Sequence, residues 1–243
     1  MLKLRLLNGV LIFLIVVTAN ANRKFAIASA GVPHYTLSPN HRYGVTVPHY
    51  EDYHEDPDSK NELLDLSTSR VLTTIHQTYP AYDRNLNHHG MAEPRWARDS
   101  SILIWEVPGK WFPDSYVVVR LKNGKVLWQR DLLKLAQDEI LEHTRQAAPS
   151  HFQAAKEHNR GNGSAYPEGF SVDVEVVEPI DFPLKVRIAL TSNPKDIQGL
   201  TSLDSYLFGE LDSAGDFKIR RFRIGPYKSA HIKWIVDRRS PGE

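Results

Sequence analysis

Tyr116-Val117-Val118-Val119-Arg120-Leu121-Lys122-Asn123-Gly124-Lys125-Val126-Leu127-Trp128-Gln129 is the stretch that sets the fold class. Apolar and β-branched residues crowd the first flank, and Asn123-Gly124 tolerates the positive φ angles of a tight hairpin turn. Tyr116 to Leu121 and Lys125 to Gln129 therefore read as paired antiparallel strands. Side chains alternate across a strand, so Val117, Val119 and Leu121 share one face while Val118 and Arg120 take the other.

Downstream the period changes. Asp131 can cap a helix, and Leu132, Leu135, Ala136, Glu139, Ile140 and His143 then fall at helical intervals. Leu133 and Leu141 widen the apolar stripe, which predicts a helix packed on a sheet. Pro149 ends or kinks this helix, Ser150 can cap a second short one, and Gly161-Asn162-Gly163 stops it. Strand alternation returns in Phe170 to Val177 and Leu184 to Leu190. Tyr206 to Leu211 and Phe217 to Ile224 form a last hairpin over Asp212-Ser213-Ala214-Gly215.

Upstream, Arg42 to Val47 reads as a short strand. Asn61 to Leu66 and Arg70 to Ile75 form a hairpin around Ser67-Thr68-Ser69, and Ser101 to Val107 is an apolar strand. Two stretches without periodicity, near 48–60 and 78–93, read as long loops. About ten strands with a helical insertion near 131–160 make a mostly β, α+β chain. Its period-2 alternation implies antiparallel sheets with one wet face. The expected organisation is one β-rich domain over 22–243, with halves near 22–130 and 165–236 joined by the helices. No exact repeat stands out in the sequence.

The first 21 residues carry an address. Lys3 and Arg5 precede the apolar run from Leu6 to Val17, and Thr18-Ala19-Asn20-Ala21 places small residues where a signal peptidase reads. The run is shorter than the about 20 residues that span a bilayer. This predicts an exported protein, periplasmic or secreted, cleaved after Ala21 and without stable membrane insertion afterwards. The chain has no cysteine, which excludes disulfides, a thiol nucleophile and a lipid-bearing cysteine. Export without cysteine suits a bacterial envelope. Losing Lys3 and Arg5 from the 30 basic residues leaves them one short of the 29 acidic ones, so no nucleic-acid footprint is expected.

Three segments carry a family resemblance. Leu37-Ser38-Pro39-Asn40-His41-Arg42-Tyr43 resembles the SPDGRY turn of the WD-like repeats in TolB-type periplasmic β-propellers. Arg95-Trp96-Ala97-Arg98-Asp99-Ser100-Ser101-Ile102-Leu103 is similar to the W-S-P-D-S-S turn of that family. Leu64-Asp65-Leu66-Ser67-Thr68-Ser69-Arg70 is similar to its D-L-x-T-G hairpin. His41 and Ser69 stand where the family carries glycine, and Ala97 where it carries proline. The resemblance covers about 37–130, roughly two blade-like units, whereas a closed propeller needs at least about four. The architecture expected is an open antiparallel sheet or sandwich, with an incomplete propeller-like arrangement as the alternative.

Candidate chemistry is sparse. His49 and His54, among acids in His49-Tyr50-Glu51-Asp52-Tyr53-His54-Glu55-Asp56, and His88-His89 in the second loop are the candidate metal ligands. Their spacing matches no EF-hand and no His-Glu-x-x-His motif. Trp111 and Phe112, beside Pro113, are candidate binding aromatics for a peptide or a sugar. Asp99 followed by two serines invites a catalytic reading, and equally explains itself as a strand-initiating turn. There is no Gly-x-Ser-x-Gly elbow, no phosphate-cradling loop and no cofactor motif. The sequence therefore points to a non-catalytic envelope module binding a protein or glycan through its loops. A metal-assisted hydrolase using the histidine-rich loops is the competing class.

Overall fold

The Asn123-Gly124 hairpin belongs to the second of three sheets, which packs on both faces between the other two layers. The computed structural model describes residues 31–47, 60–75, 93–107, 113, 115–159, 167–192 and 203–225. The first sheet contains β1 (Tyr43–Val45), β2 (Asn61–Asp65) and β3 (Arg70–Ile75). The second contains β4 (Glu93–Trp96), β5 (Ile102–Val107), β6 (Ser115–Lys122) and β7 (Lys125–Asp131). Two helices follow, α1 (Leu132–Ala147) and α2 (Pro149–Asn159). The third sheet contains β8 (Phe170–Val177), β9 (Leu184–Ser192), β10 (Asp204–Leu211) and β11 (Phe217–Ile224). Each sheet is an antiparallel meander in chain order, and the fold class is mostly β with α+β organisation.

The central sheet departs from the one-wet-face expectation. On one side Leu103, Trp105, Val107, Val117, Val119 and Leu121 pack against Tyr43, Val45, Leu63 and Ile75 of the first sheet. On the other, Ile102, Ile104, Tyr116 and Val118 join a core with α1 and the inner face of the third sheet. Both faces are buried, so β5 and β6 read as near-continuous apolar runs, while strands with a wet face alternate. β8 and β9 show that alternation: Val172, Val174, Val176, Leu184, Val186, Ile188 and Leu190 are buried, and residues between them are not.

Asp131 caps α1 as its position predicts, its carboxylate accepting from Lys134 N at 2.9 Å. The buried stripe runs through Leu133, Ala136, Ile140, Leu141 and Thr144. Glu139 and His143, counted in the predicted stripe, lie on its flank, where His143 meets the Phe222 ring at 5.4 Å. Ser150 is not a cap, because α2 already begins at Pro149, whose missing N–H costs nothing in a first turn. Glu168 pairs with Arg145 of α1 at 2.8 Å and Lys156 of α2 at 2.9 Å, tying the two helices together. β4 was hidden in the sequence by Pro94, which an edge strand tolerates.

The turns before β1 and β5 are copies of one another. Ser38 N donates to Tyr43 O at 2.9 Å, and Ala97 N to Ile102 O at 3.0 Å. His41 N reaches Ser38 O at 2.8 Å, and Ser100 N reaches Ala97 O at 2.9 Å. Asn40 Oδ1 accepts from Arg42 N at 3.0 Å, as Asp99 Oδ1 accepts from Ser101 N at 3.0 Å. His41 and Ser100 both have positive φ, 56° and 62°. The match continues into the strands, where Tyr43 pairs with Asp65 and Ile102 with Arg120. Leu66 N reaches Arg42 O at 2.8 Å, and Leu121 N reaches Ser101 O at 2.7 Å. This repeat is one of hydrogen bonding and register, with different residues filling equivalent places. The two turns also touch, through Asn40 N and Ser100 Oγ at 3.2 Å.

Among the described residues, no helix is long and apolar enough to cross a membrane.

Candidate functional site

β8 is an edge strand, and an unpaired edge needs covering. Val176 N donates to Tyr116 Oη at 3.1 Å, and Arg95 Nη1 donates to Val176 O at 3.2 Å. Arg95 also donates to Tyr116 Oη and pairs with Glu178 at 3.4 Å. Burial pushes the Tyr116 phenol up to about 12, so it stays neutral at this junction. Together Arg95 and Tyr116 fasten the central sheet to the rim of the third.

Beyond this fastening the sheets part, and a groove of about 810 Å3 opens between them. One wall is the turn Trp96–Ile102. The other is the connection between β8 and β9, Glu178–Phe182, in which the Glu178-Pro179 and Phe182-Pro183 bonds are cis. Ile180 is buried and Phe182 half-buried, so the inner part is apolar. Arg98, Asp99, Glu178 and Asp181 are exposed at the rim.

The aromatic faces in this groove are largely spoken for. Trp96 stacks on Tyr43, with centroids 6.2 Å apart, and its indole N–H donates to Thr36 O at 3.2 Å. Phe182 carries the Arg120 guanidinium at 4.9 Å and meets Trp128 edge-on at 5.8 Å. Hydrogen bonds from Ser101 hold the Asp99 carboxyl below the usual carboxylate range, the shortest from Ser101 Oγ at 2.6 Å. Asp99 thus sits in a turn and faces a groove at once. The turn reading explains its hydrogen bonds. Among the described residues that line the groove, none is a histidine that could serve the catalytic reading at Ser101.

A smaller hollow of about 270 Å3 lies across Phe182. Its charges are paired within it, Glu210 with Arg220 at 2.8 Å and Asp212 with Lys218 at 3.0 Å, so it offers less to a ligand.

The residues singled out from the sequence fall elsewhere. His49, His54, His88, His89, Trp111 and Phe112 all lie outside the described residues, as does the segment ending at Ala21. Among the described residues, no group of three or more His, Asp or Glu is placed to hold a metal ion. The Glu178–Phe182 wall was missed because it carries no motif; its one signal was Pro179 and Pro183 bracketing a short connection between two alternating strands. Trp105 is fully buried, and Trp96 and Trp128 pack against the two cores.

Comparison of the chain with known protein families, with curated proteins and with solved structures finds no match.

Proposed function

We propose that the chain is an exported, non-catalytic binding module of a bacterial envelope that takes a segment of a partner protein in the groove between Trp96–Ile102 and Glu178–Phe182. The observation that carries this is the groove itself: its size is that of ligand sites in general, its floor is apolar, and its rim is polar. A turn with its backbone bonds satisfied forms one wall, so that side is built before any ligand arrives. Export is supported by the basic start, short apolar core and Ala19-x-Ala21 exit.

A protein segment suits the groove better than a glycan. Sugars bind on open aromatic faces, and here Tyr43, Arg120 and Trp128 engage Trp96 and Phe182. The hydrolase alternative rests on histidines outside the described residues and gains no support from the groove.

The test is site-specific photo-crosslinking in cells producing the full chain. A crosslinking residue in place of Arg98, at the groove rim, should give a discrete protein adduct. The same residue in place of Leu127, which is 49% exposed and does not line the groove, should not. Adducts at neither position, or the same adducts at both, contradict the reading.

A further inference from the structure

The two copies of the turn differ in one chemically telling place. Asn40 and Asp99 occupy equivalent positions, and each uses its Oδ1 to accept the backbone N–H two residues on. The amide at Asn40 shows that the turn needs an oxygen there and not a charge. The turn's backbone hydrogen bond therefore does not require the negative charge of Asp99, and the residue lines the groove. Asp181, on the opposite wall, is exposed and forms no ion pair among the described residues. Glu178 is already engaged by Arg95. Asp99 and Asp181 thus lie on opposite walls of the groove, and Arg98 is the one cation among its described lining residues.

Resting on the binding reading above, we propose that the groove selects a peptide segment in which an aliphatic side chain is flanked by lysine or arginine. The aliphatic group lies against the apolar lining formed by Ile102, Pro179 and Ile180, where burying apolar surface favours it. The flanking cations meet Asp99 and Asp181 on opposite rims, which fixes direction and rejects acidic segments. A carboxylate-bearing peptide would meet two like charges, and a neutral one would leave them unanswered.

Isothermal titration calorimetry on the purified full chain tests this with two synthetic hexapeptides, Lys-Leu-Lys-Leu-Lys-Leu and Glu-Leu-Glu-Leu-Glu-Leu. The lysine peptide should bind, and the glutamate peptide should not. Asp99→Asn should weaken binding about two- to fivefold, and so should Asp181→Asn. Raising salt from about 50 to about 500 mM should weaken the wild type more than the double variant. Asp99→Asn is a safe probe of charge, because Asn40 shows that asparagine supports the same turn; an unchanged circular-dichroism spectrum checks this. Equal binding of both peptides, binding of neither, or lysine-peptide binding indifferent to both substitutions overturns the proposal. None of these outcomes touches the crosslinking result at Arg98, so the groove can survive as a binding site even if its selectivity does not.

Discussion

Asp65 shows how one side chain holds several pieces of the fold. Its side chain is 4% exposed, with Oδ2 accepting from Arg42 at 2.7 Å and Oδ1 accepting from Ser67 N and Oγ at 3.1 and 2.5 Å. The Asn123-Gly124 turn docks on the same pair: a Cβ at Gly124 would lie 2.4 Å from Arg42 Nη2 and 3.2 Å from Asp65 Oδ2. The Arg42 hydrogen bond, then those of Ser67, hold the Asp65 carboxyl below its usual range. A lowered folded-state pKa gives stability that is complete above the ordinary carboxylate value of about 3.9 and is lost as pH falls through the lowered value. Asp65→Asn should cost about 1–2 kcal/mol at neutral pH. In urea titrations the gap between variant and wild type should close as pH falls below the ordinary carboxylate range and through the lowered value. A gap that persists at acid pH would mean that the charge of Asp65 is not what stabilises this corner.

At the scale of elements, the sequence was legible wherever a local rule acts alone. Asn123-Gly124 dictated its hairpin because few residues accept two successive positive φ angles, here 52° and 74°. β8 and β11 lie where alternation or apolar spacing put them, and Asp131 caps α1 because its carboxylate reaches Lys134 N. Replacing it with alanine should lower stability by about 1 kcal/mol, read as a lower urea midpoint at unchanged slope. An unchanged midpoint would show that tertiary packing alone sets the start of α1. Local rules failed at β4, where Pro94 masks a strand that exists through its pairing with β5. The resemblance marked both turns before β1 and β5, but that they repeat each other bond for bond is visible only in the geometry. His41 and Ser100 adopt the same positive φ, and Asn40 and Asp99 make the same hydrogen bond, yet no string of letters repeats.

At the scale of the whole molecule, the groove follows from how the central and third sheets meet. Nothing local in the sequence announces that Tyr116 and Arg95 will cap Val176, 60 and 81 residues away. Tyr116→Phe removes the oxygen that Val176 N and Arg95 share and leaves a buried N–H unpaired. A loss of about 1–3 kcal/mol is expected, visible as a lower melting temperature and faster amide exchange at Val176. Normal stability with normal exchange would separate the sheet junction from this contact. The central claim is that the groove above this junction is where a ligand sits, and hydrogen exchange of the full chain with and without the lysine–leucine hexapeptide tests it most directly. The account predicts slowed exchange in 97–102 and 178–182, with no change at 121–126 or 212–216. Bound peptide that leaves both walls of the groove unprotected, or that protects only those latter turns, would contradict it.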